Sequence, residues 1–182
     1  MKRIVLVVPL LCVALLAQSA GPLQYSREGK LRMPDYREWV FLSSGLGMTY
    51  AQNPQPNASP FFDNVFVDPA AYKAFLKSGA WPDKTVLVVE LRNSETKVSI
   101  NKDGRVQTNV AGTEVHVKDA SRGGWAFYGF ATGAKEGSLI PKTENCYSCH
   151  EQNAAVDTTF VQFYPTLIEI AKSKGTFKDG EK

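Results

Sequence analysis

Two cysteines and a histidine lie close together near the C-terminus, in Cys146-Tyr147-Ser148-Cys149-His150. The spacing Cys-x-x-Cys-His is the attachment signature of c-type haem. In a turn of helix, cysteines three residues apart project from one side, so their sulfurs can form thioethers with the two haem vinyl groups. The next residue is then placed to bind the iron. The motif predicts one covalent haem c, attached through Cys146 and Cys149, with His150 as an iron ligand.

Three other kinds of site use a Cys-x-x-Cys pair: a structural disulfide, a thiol redox pair and half of a zinc site. A thioredoxin-like pair follows the first strand of a βαβ unit, whereas this pair lies near the C-terminus. A zinc site needs two further ligands, and the sequence has one other histidine, His116. The adjacent His150 therefore favours haem over these alternatives.

The sixth coordination position of the iron separates ligand binding from electron transfer. Electron-transfer cytochromes c usually fill it with methionine or a second histidine. Met33 stands before Pro34 in a polar segment, Met48 lies in a Gly-rich stretch, and His116 alternates along a predicted strand. No pattern recommends any of the three, so we predict an open sixth position.

The N-terminus predicts export. Lys2 and Arg3 precede the uncharged apolar residues 4–16, and small and polar residues follow at 17–20. This is the layout of a secretory signal peptide, and the apolar run is shorter than the roughly 20 residues that span a bilayer. We predict a signal peptide at residues 1–20 and a periplasmic or otherwise exported domain at residues 21–182, without a membrane span.

The charge of the predicted mature chain excludes several partners. Loss of Lys2 and Arg3 lowers the formal net charge from +3 to +1. A nearly neutral chain lacks the basic footprint of proteins that bind nucleic acid or anionic membrane surfaces. The hydrophobic content of 43% argues against disorder, and the length suits one domain with its own core.

Strand patterns occupy the middle of the chain and helical patterns its end. This order predicts an α+β fold: a single domain rich in antiparallel β-sheet, with a C-terminal helical segment for haem attachment. One earlier helix should begin at Asp68-Pro69 and stop at Gly79. Thr143 is the expected cap before the cysteine motif. Predicted strands are residues 64–67, 85–92, 97–100, 105–110, 114–118 and 125–130, and residues 158–172 should be helical with a break at Pro165.

Residues 114–118 alternate strictly. Val115 and Val117 lie on one face, and Glu114, His116 and Lys118 lie on the other. The second face is either the edge of a ligand pocket or an ordinary solvated face, and the pattern leaves both open.

With these residues in view, the chain resembles the cytochrome P-460 and cytochrome c′-beta family. The resemblance implies a sheet-rich homodimer with five-coordinate haem iron, whose open distal face lies against side chains of the sheet. The motifs that carry it are Tyr36-Arg37-Glu38-Trp39-Val40, Val65-Phe66-Val67-Asp68-Pro69, Glu114-Val115-His116-Val117-Lys118-Asp119, Trp125-Ala126-Phe127-Tyr128 and the ending CYSCHEQNAAVDTTFVQFYPTL from Cys146.

One family feature is absent. P-460 members oxidise hydroxylamine or nitric oxide and carry a lysine covalently joined to the haem ring, immediately before a Glu-Leu pair. Here Val89 takes that place, before Glu90-Leu91, and an alkyl side chain cannot form the bond. Lys84 lies five residues earlier and by strand parity points to the opposite face, so we predict a solvated turn residue there.

The resemblance also implies distal residues. Glu114 occupies the position of a carboxylate that accepts a proton over the iron in P-460 members. A distal arginine of those members falls near Asp63 and is lost. Val89, Phe61 and Phe62 are candidates for the distal pocket, the two phenylalanines as the aromatic cap of c′-beta proteins, although core packing also explains them.

We therefore predict an exported mono-haem cytochrome that binds nitric oxide or a similar small ligand, for detoxification, sensing or transport. Two alternatives stay open. One is a P-460-type oxidoreductase for hydroxylamine or nitric oxide with Glu114 as general base, and the other is an electron-transfer cytochrome c. A redox partner cytochrome and a homodimer are expected partners.

Overall fold

The computed structural model describes residues 23–50, 59–178 and 180. The predicted signal peptide therefore lies outside the described residues. The fold is built on one seven-stranded sheet, antiparallel throughout, in the order β1-β7-β6-β5-β4-β3-β2. Its strands are β1 (Leu31–Arg32), β2 (Val40–Leu46), β3 (Phe62–Val67), β4 (Val86–Glu95), β5 (Val106–Asp119), β6 (Gly124–Ala131) and β7 (Glu136–Leu139).

Three helices accompany the sheet: α1 (Pro69–Ser78), α2 (Asn145–Asn153) and α3 (Pro165–Ser173), with short 3₁₀ turns at Ala120–Arg122 and Val161–Phe163. The predicted α+β fold with a C-terminal helical segment is confirmed. Among the described residues, no helix is long and apolar enough to cross a membrane.

The sheet has an apolar core on each face because successive strand residues point to opposite sides. Leu87 of β4 joins the core that contains Phe75 of α1 and Leu167 of α3. Its neighbours Val86 and Val88 join the other core, which is covered by the segment leading into the sheet. The face of Leu87 is therefore the one on which the helices lie.

α1 begins and ends where the sequence predicts. The Asp68 Oδ1 atom accepts hydrogen bonds from the N–H groups of Ala70 (3.1 Å) and Ala71 (2.9 Å). Pro69 is the first helical residue, and Gly79 ends the helix in the left-handed conformation, with φ 71°. That conformation suits glycine because it has no Cβ.

Two strand predictions are wrong. Residues 97–100 are not a strand, because Lys97 and Ser99 have φ of 57° and 53°, which no strand accommodates. The residues belong instead to the long connection between β4 and β5. The predicted strands 105–110 and 114–118 are one strand, β5, since Gly112 and Thr113 continue the pairing with both neighbours.

Two helix predictions also need correction. α2 is preceded by Glu144 rather than capped by Thr143, and Glu144 makes no side-chain cap hydrogen bond. Residues 158–172 are not one broken helix: Thr158 has φ of 57°, and Pro165 is the first residue of α3. Proline suits that first position, since its missing N–H has no partner there anyway.

Asp68→Ala should lower the free energy of unfolding by about 2 kcal/mol. The change removes the cap of α1 and also the Oδ2 acceptor for the Val86 N–H, 3.2 Å away. Urea unfolding measures the loss. Asp68→Asn is the matched control, because it keeps one acceptor oxygen and should lose less. Equal stability of Asp68→Ala and the wild type would show that the cap contributes nothing.

Candidate haem-binding site

α2 holds the cysteine motif against the sheet. Cys146 and Cys149 are free, half-buried thiols. Between them, the Tyr147 hydroxyl accepts a hydrogen bond from the Phe127 N–H (2.9 Å) and donates one to the Ile140 carbonyl (3.1 Å). The rings of Tyr147 and Phe127 also stack, with centroids 4.3 Å apart. These contacts fasten α2 to β6 and so place both thiols beside the helix-bearing face of the sheet.

His150 is held as a neutral metal ligand would be. Its Nδ1 atom lies 2.8 Å from the Thr158 carbonyl oxygen, to which it donates. Burial, together with the nearby His116, lowers the pKa of His150 to about 4 despite that hydrogen bond. The ring packs between Phe160 and Phe127, at centroid distances of 4.4 and 4.8 Å. Nε2 makes no hydrogen bond with the described residues, and a backbone partner on Nδ1 is the usual way to orient a ligating histidine.

A cavity of about 220 Å³ opens beside His150 on this face of the sheet. The strand register explains part of its lining: Ser43, Val65, Val89 and Glu114 pair in one row across β2, β3, β4 and β5. Side chains in such a row share a face. Val89 and Glu114 therefore both line the cavity, and their assignment to a distal haem pocket stays a prediction. The other lining residues are Gly45, Met48, Tyr50, Asp63, Leu87, Leu91, His116, His150, Thr159, Phe160, Phe163 and Tyr164.

Glu114 and His116 form a polar pair in the cavity. The His116 Nε2 and Glu114 Oε2 atoms lie 3.4 Å apart. The hydrogen bond from His116 lowers the pKa of Glu114 although burial opposes the shift. His116 is only 6% exposed, and its ring centroid lies 5.3 Å from that of His150. The alternative of a solvated face is therefore wrong for His116, which is buried in the pocket.

Asp63 is a second carboxylate in the cavity. Its Oδ2 atom lies above Gly45, 3.8 Å from where a Cβ at that glycine would stand. Burial, and then the negative charge of Glu114, raise the pKa of Asp63 to about 6. Asp63 makes no hydrogen bond or ion pair with the described residues. The sequence held a signal for this placement, since Asp63 precedes the predicted strand and shares the parity of Val65.

The three candidate sixth ligands of the iron do not lie on the same face of the sheet. Met48 and His116 both line the cavity, whereas Met33 packs against the core on the opposite face. Tyr50 stacks on Phe160 with centroids 6.0 Å apart, and both residues come from loops that no sequence pattern placed here.

The two phenylalanines that were expected to form an aromatic cap over the ligand do not line the cavity. Phe62 pairs with Arg92 and Leu46, so its parity in β3 directs it to the face opposite Asp63. Phe61 is 41% exposed and is not among the lining residues. This corrects the expectation that the two rings form an aromatic cap here. Lys84, by contrast, is the exposed turn residue expected, with φ of 65° and an ion pair to Asp119.

The residues present fit a haem c. The two thiols are unpaired, His150 offers a neutral ring whose Nε2 has no hydrogen-bond partner among the described residues, and one cavity is lined by His150. Besides the first cavity, a more open one of about 520 Å³ is lined by Cys146 and by the end of β6 and β7. The described residues contain no cluster of three or more His, Cys, Asp or Glu side chains that could hold a bare metal ion.

Comparison with known proteins agrees with this fit. A family model described as Cytochrome P460 matches residues 33–161. The matched range includes the Cys-x-x-Cys-His motif and most of the cavity lining. A search of curated proteins found no match. The chain therefore belongs to the cytochrome P460 family, which implies a haem cofactor.

Proposed function

We propose that this chain is a mono-haem c-type cytochrome whose distal pocket is the cavity beside His150. Cys146 and Cys149 would hold the haem by adding their S–H groups across its two vinyl groups, a reaction that needs no oxidant. The observation that carries the proposal is the hydrogen bond from His150 to the Thr158 carbonyl. It fixes the ring through Nδ1 and leaves Nε2 for the iron.

We propose nitric oxide or a similar small ligand as the molecule bound. A haem held in this site would supply an iron atom, and the iron would offer a coordination position to such a ligand. Val65, Leu87, Val89 and Leu91 make much of the cavity wall apolar. An uncharged diatomic molecule loses little hydration on entering such a cavity, whereas a large polar substrate loses more. Scavenging, sensing and transport are all compatible with this chemistry.

One observation favours an oxidoreductase as the second candidate. Glu114 lines the cavity with a lowered pKa, so it is ionised near neutral pH and available as a proton acceptor. Against this candidate, Val89 stands where the resemblance to P-460 members places the cross-linking lysine. Val89 pairs with Glu114 across β4 and β5. Hydroxylamine turnover with an artificial electron acceptor distinguishes the candidates, and turnover that is lost in Glu114→Gln would favour the enzyme.

Ferric protein near neutral pH should show a high-spin spectrum, and the ferrous form should bind carbon monoxide without displacing a protein ligand. The reason is that Nε2 of His150 is the nitrogen oriented for the iron, while the His116 ring is engaged by Glu114. Optical spectra of the wild type, His116→Ala and Met48→Ala provide the measurement.

A low-spin wild type that becomes high-spin in one of these variants would identify that residue as the sixth ligand. Such a result would favour electron transfer over ligand binding. Met33→Ala is the matched control, because Met33 lies on the opposite face of the sheet and should leave every spectrum unchanged.

Export, the homodimer and a redox partner cytochrome remain predictions of the sequence and its resemblance. Cleavage after residue 20, tested by N-terminal sequencing of protein recovered from the periplasm, would establish the first of these.

A further inference from the structure

Two carboxylates of the cavity differ in what surrounds them. The Glu114 carboxylate has the His116 ring as a hydrogen-bond partner at 3.4 Å. The Asp63 carboxylate has no hydrogen bond or ion pair with any residue that the structure describes. No described residue therefore neutralises the negative charge of Asp63 as a direct partner.

The placement of Asp63 follows from the sheet. Asp63 pairs with Leu91 of β4 and with Gly45 of β2, and all three residues line the cavity. Because Gly45 has no side chain, the space above it is taken by the Met48 side chain, which is uncharged and leaves the charge of the carboxylate without a counter-ion there. The side chain is half-buried, so water screens its charge less than it would on an open surface.

We propose that Asp63, together with Glu114, makes this pocket select against anionic ligands and in favour of neutral ones. The proposal rests on the proposed function, because it takes the iron to lie in this cavity. An anion that approaches the iron must enter a partly desolvated space that already holds two negative charges. A neutral ligand such as nitric oxide meets no such repulsion. Asp63 is then a specificity-determining residue of the pocket, and its effect is on which ligands bind.

The test compares ligand affinities of the haem-loaded ferric protein at pH 8, where both carboxylates are ionised. Azide and fluoride are the anionic probes, and nitric oxide is the neutral probe in the same oxidation state. Optical titration gives the Kd of each. Asp63→Asn should raise the affinity for azide and fluoride about tenfold and change that for nitric oxide less than twofold. Glu114→Gln should raise anion affinity less, since the Glu114 carboxylate already has a hydrogen-bond partner in His116.

Two further variants make the result specific. Asp63→Glu keeps the charge and should retain the low anion affinity of the wild type. Asp103→Asn makes the same chemical change at an exposed position in the β4–β5 connection and should change nothing. Anion affinities of Asp63→Asn within twofold of the wild type would overturn the inference, as would an equal gain for nitric oxide.

Failure of the proposed haem site and failure of the proposed role of Asp63 give different results. If the purified wild type contains no covalent haem, the proposed function is wrong. If it contains haem, and Asp63→Asn and the wild type bind azide equally, only the role of Asp63 is wrong.

Discussion

Protein with both Cys146→Ala and Cys149→Ala should lose its haem on denaturing electrophoresis, while the wild type should carry one haem through it. The thioethers would be the bonds that survive denaturation, whereas His150 alone would bind the iron only while the pocket is folded. Haem-stained gels of protein made in a host that matures c-type cytochromes measure the difference. Each single variant should retain a haem attached through one sulfur.

Peptide mapping makes this result sharper. Haem should be found only on the peptide that contains Cys146 and Cys149, since Val89 in the cavity wall has no atom that can bond to the ring. Ser148→Ala is the matched control, because Ser148 is an exposed residue between the two cysteines and should leave attachment intact. A full haem signal from the double variant, or a second haem-linked peptide from any lysine, would contradict the proposed attachment.

Glu90→Gln should lower the free energy of unfolding at pH 7 by about 3 kcal/mol. Glu90 is a carboxylate of β4 with a side chain only 2% exposed. It accepts hydrogen bonds from the Tyr36 hydroxyl, Arg37 Nη2 and Arg92 Nε, each at 2.6 Å. Burial opposes ionisation, but the bonds from Arg37, Arg92 and Tyr36 together lower the pKa of Glu90 to about 2. A shift of this size from 4.5 corresponds to about 3 kcal/mol.

The pH dependence follows from the sign of that shift. The folded pKa is below the unfolded one, so the stabilisation is fully present above about pH 5 and is lost as the pH falls toward 2. Urea unfolding at pH 7 and at pH 3 should therefore show a larger difference between the wild type and Glu90→Gln at pH 7. Glu95→Gln, at an exposed position on the same strand, should behave as the wild type. An unchanged pH dependence in Glu90→Gln would contradict this account.

Local patterns were sufficient where neighbours in the chain decide the structure. Asp68, Pro69 and Gly79 mark the limits of α1 because a cap, a first-turn proline and a left-handed glycine act within a few residues. Alternation correctly placed Glu114 and His116 together, since strand geometry is itself local. Patterns failed at residues 97–100 and at Thr158, where positive φ values interrupt sequences that otherwise suit regular elements.

The sequence by itself determined the Cys-x-x-Cys-His motif and the α+β class, because both depend on residue type and on spacing along the chain. Only the tertiary structure decided what surrounds the motif. Asp63, Glu114 and Met48 meet His150 in one cavity because the strand order brings β2 to β5 side by side beneath the C-terminal segment. The burial of His116, and the direction of Phe62 toward the face opposite the cavity, depend on the same long-range packing. Strand register and helix docking join residues that lie far apart in the chain, so no local pattern carries that information.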